Sequence, residues 1–181
     1  MSTWFTADTH FGHANVIRYC DRPYNSLSEM DNALVANWNQ VIRPNDVAYH
    51  LGDFTLRGQK QANAYFSRLN GRISVVPGGH DKRWASKKEY RSKSGHPVVI
   101  LPPLITIKLQ IPRLSQSQII VLCHYAMRVW DRSHYGSWHL YGHSHCNLPK
   151  HLKSLDVGVD CWNYFPVSLE QVAGEIGKIS M

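Results

Sequence analysis

Aspartate and histidine residues occur in short clusters along this sequence, at spacings that suit metal binding. The clusters are Asp8-Thr9-His10, Gly52-Asp53, Gly78-Gly79-His80-Asp81, His124 and Gly142-His143-Ser144-His145. The chain has 11 histidines among 181 residues, and histidine is the commonest ligand of transition metals. Imidazoles combined with carboxylates suit Zn, Fe, Mn or Ni, whereas carboxylates alone would suit Mg or Ca. The residue types therefore predict a transition-metal site.

The spacing within the clusters supports this interpretation. In an extended chain, residues i and i+2 point to the same side. Asp8 with His10, and His143 with His145, are therefore each expected to supply two donors from one short segment. Glycines beside the clusters permit sharp turns and close backbone approach. Taken singly, each cluster also fits a helix cap, a turn or a core histidine, so their joint occurrence carries the prediction.

Each cluster directly follows a segment that is predicted to be a strand. These segments span residues 3–7, 47–51, 73–76, 119–123 and 138–141, and they are rich in apolar and β-branched side chains. Open α/β sheets place their sites at the carboxyl ends of the strands. The clusters are therefore expected to converge at one end of a sheet.

Helices are predicted between the early strands. A capping box at Ser26–Glu29 opens an amphipathic helix that ends before Pro44, and a second helix covers residues 59–69. Further strands are predicted at 98–100, 106–109 and 155–159, and a capping box at 168–171 precedes a C-terminal helix. This order predicts one layered α/β domain over residues 1–181, with a mixed sheet.

Composition narrows the classes of protein and partner. Hydrophobic residues are 43% and charged residues 18%, which excludes a disordered chain. No apolar run reaches the roughly 18 residues of a membrane span, and the first residues lack a signal sequence. Four cysteines without C-x-x-C spacing indicate reduced thiols. We therefore expect a cytoplasmic protein with no membrane partner. The net charge of +7 favours phosphates or nucleic acid as partners.

The ordered clusters resemble the calcineurin-like metallophosphoesterase superfamily, in particular its small single-domain bacterial and phage members. The family pattern runs D-x-H, G-D, G-N-H-[DE], an isolated H, and G-H-x-H, and the match spans residues 8 to 145 of this chain. Residues 156–167 also resemble the closing strands of the small members. The resemblance implies a four-layer αββα sandwich of two mixed sheets flanked by helices.

The resemblance also implies a binuclear centre. Asp53 would bridge two divalent transition-metal ions, with Mn favoured and Ni, Fe, Co or Zn as alternatives. The remaining ligands would be Asp8, His10 and His145 for one ion, and His124 and His143 for the other. The implied activity is hydrolysis of a phosphate ester, with a phosphodiester favoured, by attack of a hydroxide that bridges the metals.

Residues other than the metal ligands are also given roles, either by the same resemblance or by their positions next to the clusters. His80 would stabilise the transition state or protonate the leaving oxygen, and Asp81 would orient the His80 ring. His13 and Arg83 are candidate substrate-binding residues. Arg83 belongs to a basic run with Lys82, Lys87, Lys88, Arg91 and Lys93. Arg128, Trp130 and Trp138 are expected either to line the mouth of the site, where an aromatic ring can stack a base, or to pack in the core.

The sequence departs from the family pattern at Gly79, where the family carries asparagine. Glycine offers no side chain to the second metal, so we expect weaker occupancy there and reduced activity. Two alternatives to a phosphodiesterase of small substrates stay open. The basic run favours a nuclease, and Gly79 favours a catalytically weakened scaffold that binds a partner protein.

Overall fold

Two mixed β-sheets form the framework of the protein in a computed structural model that describes residues 1–86, 89–111 and 117–179. The five-stranded sheet has the order β4-β3-β2-β1-β9, and the four-stranded sheet has the order β5-β6-β7-β8. The strands are β1 (Thr3–Thr6), β2 (Val47–His50), β3 (Arg72–Val75), β4 (Val99–Ile100), β5 (Leu104–Gln110), β6 (Ser117–Cys123), β7 (Trp138–Tyr141), β8 (Ser154–Asp156) and β9 (Val167–Ser168).

Each sheet combines parallel and antiparallel pairs. In the first sheet, β1 to β4 run parallel and β9 runs antiparallel to β1. In the second sheet, β5 is antiparallel to β6, while β6, β7 and β8 are parallel. The prediction of a mixed α/β protein with two mixed sheets is therefore confirmed.

The helices follow the capping signals closely. They are α1 (Asn15–Tyr19), α2 (Leu27–Val41), α3 (Gln59–Phe66) and α4 (Leu169–Ile179). Ser26 caps α2 by accepting from the Glu29 backbone N–H at 3.2 Å, although the Glu29 carboxylate accepts from Asn25 rather than from Ser26. At α4 the capping box is reciprocal between Ser168 and Gln171.

Two predicted elements end earlier in the structure than expected, and one helix was not predicted. Helix α3 ends at Phe66 instead of residue 69, because the chain turns at residues 67–69 into β3. Strand β8 ends at Asp156, and residues Val159–Cys161 form a 3₁₀ turn instead of continuing the strand. The five-residue helix α1 is too short to give a periodic signal. Lys87 and Lys88 of the basic run lie outside the described residues.

Two hydrophobic clusters hold the layers together. The first packs α2 against the first sheet, with Met30, Leu34 and Trp38 near Ala48 and Ile73. The second joins both sheets and α4; it includes Phe5 of β1, Leu122 of β6, Leu140 of β7 and Val172 of α4. Alternate strand residues face opposite sides, so Trp4 packs on the first cluster while Phe5 belongs to the second.

No helix formed by residues 1–86, 89–111 or 117–179 combines the length and apolarity that a bilayer crossing needs.

Candidate metal centre

The predicted clusters meet where strands of both sheets end. Asp8 follows β1 after one residue, and Asp53 lies in the loop after β2. Backbone hydrogen bonds join these two loops, from Asp8 N to Gly52 O and from His10 N to Asp53 O, both at 3.0 Å. His124 follows β6 directly and receives a 3.0 Å bond from Gly142 N after β7. The predicted convergence is confirmed.

The six predicted ligands form two groups of three. In each group the candidate ligand atoms all lie within 4.8 Å of one another. The groups are Asp8, His10 and His145, and Asp53, His124 and His143. The two groups adjoin through Asp53, whose Oδ2 lies 3.8 Å from His10 Nε2 and 3.3 Å from His124 Nε2. This grouping matches the division of ligands that the family resemblance implies.

Unpaired polar atoms inside the centre fit bound cations. Asp8 Oδ1, His10 Nε2 and His124 Nε2 are buried and have no hydrogen-bond partner among the described residues. A buried polar atom without a partner costs free energy of about 1–3 kcal/mol or more. Here the unpaired atoms are those that can donate a lone pair to a metal. The donor set therefore suits cations in both groups.

The orientation of His124 supports the same interpretation. Its Nδ1 lies 2.8 Å from the carbonyl oxygen of Leu51, so Nδ1 carries the proton and donates it to that oxygen. The other ring nitrogen then presents a lone pair toward the Asp53 carboxylate. Two lone pairs at this distance repel each other unless a cation or proton lies between them. Backbone bonds of this type commonly fix the tautomer of a metal-binding histidine.

Five of the six candidate ligands have left-handed backbone conformations. The φ angles are +57° at Asp8, +50° at His10, +54° at Asp53, +67° at His143 and +47° at His145. Such angles are uncommon for residues other than glycine, and they concentrate at functional sites. The extended-chain explanation of the i, i+2 spacing was therefore wrong. His143 and His145 belong to different groups, because the chain turns between them.

Glycine is required where two loops touch. A Cβ on Gly78 would collide with Asp53 Oδ1, and a Cβ on Gly52 would lie 2.6 Å from Gly78 N. Gly52 also has a φ of +91°. Both positions therefore allow the loop after β3 to pack directly on the Asp53 loop.

Asp81 does not orient the His80 ring, contrary to the prediction. Its buried carboxylate instead accepts 2.8 Å hydrogen bonds from the backbone N–H groups of Asp53 and Gly78, and a 3.0 Å bond from that of Phe54. The Trp84 indole also donates to it, at 3.0 Å. Asp81 therefore holds the loop after β3 against the loop that carries Asp53, because its oxygens accept from N–H groups of both loops.

His80 and His13 lie beside the first group. The His80 ring centroid is 5.3 Å from that of His10, its Nε2 is 3.8 Å from Asp53 Oδ2, and its side chain is 42% exposed. The His13 ring is 5.6 Å from His10 and 6.2 Å from His80. Both side chains are therefore positioned to contact a substrate held at the centre. Arg83 is exposed in the 3₁₀ turn after His80 and makes no hydrogen bond or ion pair with the described residues.

The two tryptophans do not line the site. Trp130 and Trp138 are each 6% exposed, and the Trp130 indole donates to Ser137 O. They pack in the core, which is the second of the two predicted outcomes. Arg128 is exposed. The aromatic residue next to the candidate ligands is Tyr125, whose ring lies 4.8 Å from both His124 and His143.

Sequence reasoning missed a buried ion pair behind His145. Asp160 Oδ2 lies 2.7 Å from His145 Nδ1, and Arg22 donates to the same carboxylate at 2.8 and 2.9 Å. Arg22 also donates to the carbonyl oxygens of Asp8 and Thr9. Asp160 belongs to the 156–167 segment, whose resemblance to the closing strands was its only signal. Arg22 gave no signal, because it lies outside every motif.

Burial and charge together set the pKa values in the centre. Burial raises the pKa of Asp8 to about 7, since His124 and His145 offset only part of the desolvation. Burial lowers the pKa of His10 to about 2. For Asp53, burial alone would raise the pKa, but His124 and His10 hold it below the usual range. In the absence of a cation, Asp8 therefore binds a proton near neutral pH, and metal binding would release it.

The comparisons with known proteins support the fold and a family. No family model matches the chain. In the crystal structure of a protein of unknown function, AQ665 from Aquifex aeolicus, the similarity covers 98% of both chains with a TM-score of 0.69 and 23% identity. That similarity concerns the fold alone.

Two sequence relatives extend over nearly the whole chain. The Gene 66 protein of Mycobacterium phage L5 is 23% identical over 182 residues, covering 89% of this chain and 87% of the relative. The uncharacterized protein MJ1445 of Methanocaldococcus jannaschii is 32% identical over 185 residues, covering 97% of this chain and 91% of the relative. At this identity and coverage, the chain belongs to the same protein family as MJ1445.

Proposed function

We propose that the protein is a binuclear-metal phosphoesterase of the calcineurin-like type, with αββα layering, and that it hydrolyses a phosphodiester. The supporting observation is the pair of donor groups that adjoin at Asp53 and carry buried, unpaired lone pairs. A structural metal site would need only one such group. Two adjacent groups suit two divalent transition-metal ions, Mn above all, with Ni, Fe, Co or Zn also accommodated by these donors.

The chemistry divides between the cations and the chain. When bound, the two cations would neutralise the phosphate charge and activate water for attack on phosphorus. Asp53 would bind both ions, and each of the five other candidate ligands would bind one of the two. His80 is half-exposed beside Asp53 and is the group available to protonate the leaving oxygen. His13, on the same side, would contact the phosphate.

The proposal is tested by metal content and turnover together. Elemental analysis should find up to two ions per chain, and bis(p-nitrophenyl) phosphate should be hydrolysed faster than p-nitrophenyl phosphate when Mn, Ni, Co, Zn and Mg are compared. Asp53→Asn should lose both metal and turnover, because it weakens both groups. Asp131→Asn, at an exposed carboxylate that belongs to neither ligand group, is the matched control.

The outcome also decides between the alternatives. Absence of turnover with every metal would favour the scaffold. A nuclease should bind nucleic acid with a steep dependence on salt, since each phosphate contact releases counterions, whereas a small diester should not show it. Lys82, Arg83, Arg91 and Lys93 of the basic run are exposed, and they favour the nuclease. The four free thiols fit a reducing, cytoplasmic compartment.

A further inference from the structure

An open groove adjoins the second ligand group. It has a volume of about 430 Å³ and is lined by Pro77, Gly78, Gly79, Lys82, Pro103 and Tyr125, among others. Its lining is mainly apolar, with one lysine. Gly78 packs on Asp53 and His124, and the Tyr125 ring packs edge-on against His124 and His143. One end of the groove is therefore fixed against the metal-binding residues.

Gly79 forms part of the groove wall beside Tyr125. A Cβ at Gly79 would lie 3.2 Å from the Tyr125 hydroxyl, so a larger side chain would fill the space beside that ring. Tyr125 is 48% exposed although its ring packs on the buried His124. Pro77 and Pro103 line the same groove. An exposed aromatic ring in such a groove is a surface on which a planar group can stack.

His80 and Tyr125 lie beside different ligand groups of the candidate metal centre. His80 lies against His10 of the first group, whereas Tyr125 lies against His124 and His143 of the second. If the leaving oxygen is protonated at His80, the other ester group of a diester extends toward Tyr125. The protein then binds the leaving group and the retained ester group at different places.

We propose that this groove binds the retained ester group of a phosphodiester, and that this group carries a planar aromatic ring, aryl or nucleobase. The inference rests on the proposed phosphodiesterase function. In the reaction, the oxygen of water forms a bond to phosphorus, the bond to the leaving oxygen breaks, and that oxygen takes a proton. The ring-bearing ester stays on phosphorus and leaves as an anionic monoester. Lys82, exposed at the groove, complements its charge.

The test compares diesters that share p-nitrophenolate as the leaving group and differ only in the retained group: methyl, phenyl or thymidine-5′-yl. Wild-type kcat/KM should favour the ring-bearing esters by about tenfold, through KM, as one stacked ring typically contributes. Tyr125→Ala should remove this preference, and Tyr125→Phe should keep it. Because the preferences of variant and wild type are compared, intrinsic differences in ester reactivity cancel.

Tyr135→Ala is the matched control, since Tyr135 is 81% exposed and does not line the groove. A thymidine preference far above the phenyl preference would identify a nucleobase as the ring. Equal preference ratios for wild type and Tyr125→Ala would overturn the proposal.

A binding measurement separates this inference from the proposed function. Calorimetry with phenyl phosphate and methyl phosphate needs no turnover. Tighter binding of phenyl phosphate, lost in Tyr125→Ala, would support the groove even if no diester were hydrolysed. Equal affinity for the two monoesters, including no binding of either, would overturn the groove even if diesters were hydrolysed.

Discussion

The carboxylate of Asp160 lies 2.7 Å from Nδ1 of His145 and is held in place by the buried guanidinium of Arg22. This contact assigns the Nδ1 proton, so Nε2 is the atom that His145 offers to a metal. Burial would raise the pKa of Asp160, but its bonds to His145 and Arg22 lower it overall. Asp160 therefore stays ionised and keeps the His145 ring in one orientation.

Replacement of Asp160 should weaken metal binding without removing a ligand. In Asp160→Asn we expect the affinity of the first group to fall by about 10–100-fold, the usual effect of losing a carboxylate behind a metal-binding histidine. Competition with a metal-sensitive dye measures the change. Metal affinity equal to that of wild type in a folded Asp160→Asn protein would contradict this role.

Asp81 should be needed for the stability of the fold, whereas His80 should be needed for turnover. Asp81→Asn replaces one accepting oxygen with an amide that cannot accept from the loop N–H groups. We expect the free energy of unfolding to fall by about 2–4 kcal/mol, since bonds to a charged acceptor contribute about 1.5–3 kcal/mol each. Urea unfolding measures this loss. His80→Gln, at an exposed side chain, should reduce turnover and keep wild-type stability; the reverse pattern would refute this division.

Because Gly79 has no side chain, the second ligand group should bind its metal ion less completely than it would with an asparagine at this position. In Gly79→Asn, the amide is expected to reach the cation held by Asp53, His124 and His143 and to raise the metal content of that group. The new Cβ, 3.2 Å from the Tyr125 hydroxyl, displaces only the end of a side chain. Elemental analysis checks the metal content. Gly79→Ala supplies the Cβ without the amide, so an equal rise in both variants, or none in either, would rule out the amide as the cause.

His50 should make the protein less stable in acid. The Thr9 hydroxyl donates to Phe54 O and accepts from His50 Nε2. The buried Nδ1 of His50 therefore has no partner, within the part of the chain that the structure describes, when a proton arrives. Burial lowers the His50 pKa from 6.5 to about 3. Because the unfolded chain binds this proton more tightly, the stabilisation is complete above about pH 6.5 and declines as pH falls toward 3.

The size of this effect is about 1.4 kcal/mol for each pH unit, or about 2 kcal/mol between pH 6.5 and 5. Urea unfolding at both pH values measures it. In His50→Gln the decline should be smaller by that amount, and the exposed His134→Gln is the matched control. An identical pH dependence in wild type and His50→Gln would contradict a buried, neutral His50.

Local sequence was sufficient for the longer helices, for the strands that precede the clusters and for the donor types. The capping residues Ser26 and Ser168 marked the starts of α2 and α4, because side chains at an N-cap bind N–H groups only a few residues away. Apolar runs marked the strands that precede the clusters, and their shared direction implied convergence. The clusters that contain the candidate ligands could be located for that reason, whereas the division of these residues into metal ligands came from the family resemblance.

Only the tertiary structure decided what each group does. The role of Asp81 depends on its contacts with Asp53 and Phe54, which lie in a loop distant from it in sequence. The contact of Asp160 with His145 depends on how the turn after β8 packs on the loop after β7. The left-handed backbone at the ligands is held by hydrogen bonds between loops. Sequence patterns report interactions between neighbours along the chain, whereas these contacts form between segments that only folding brings together.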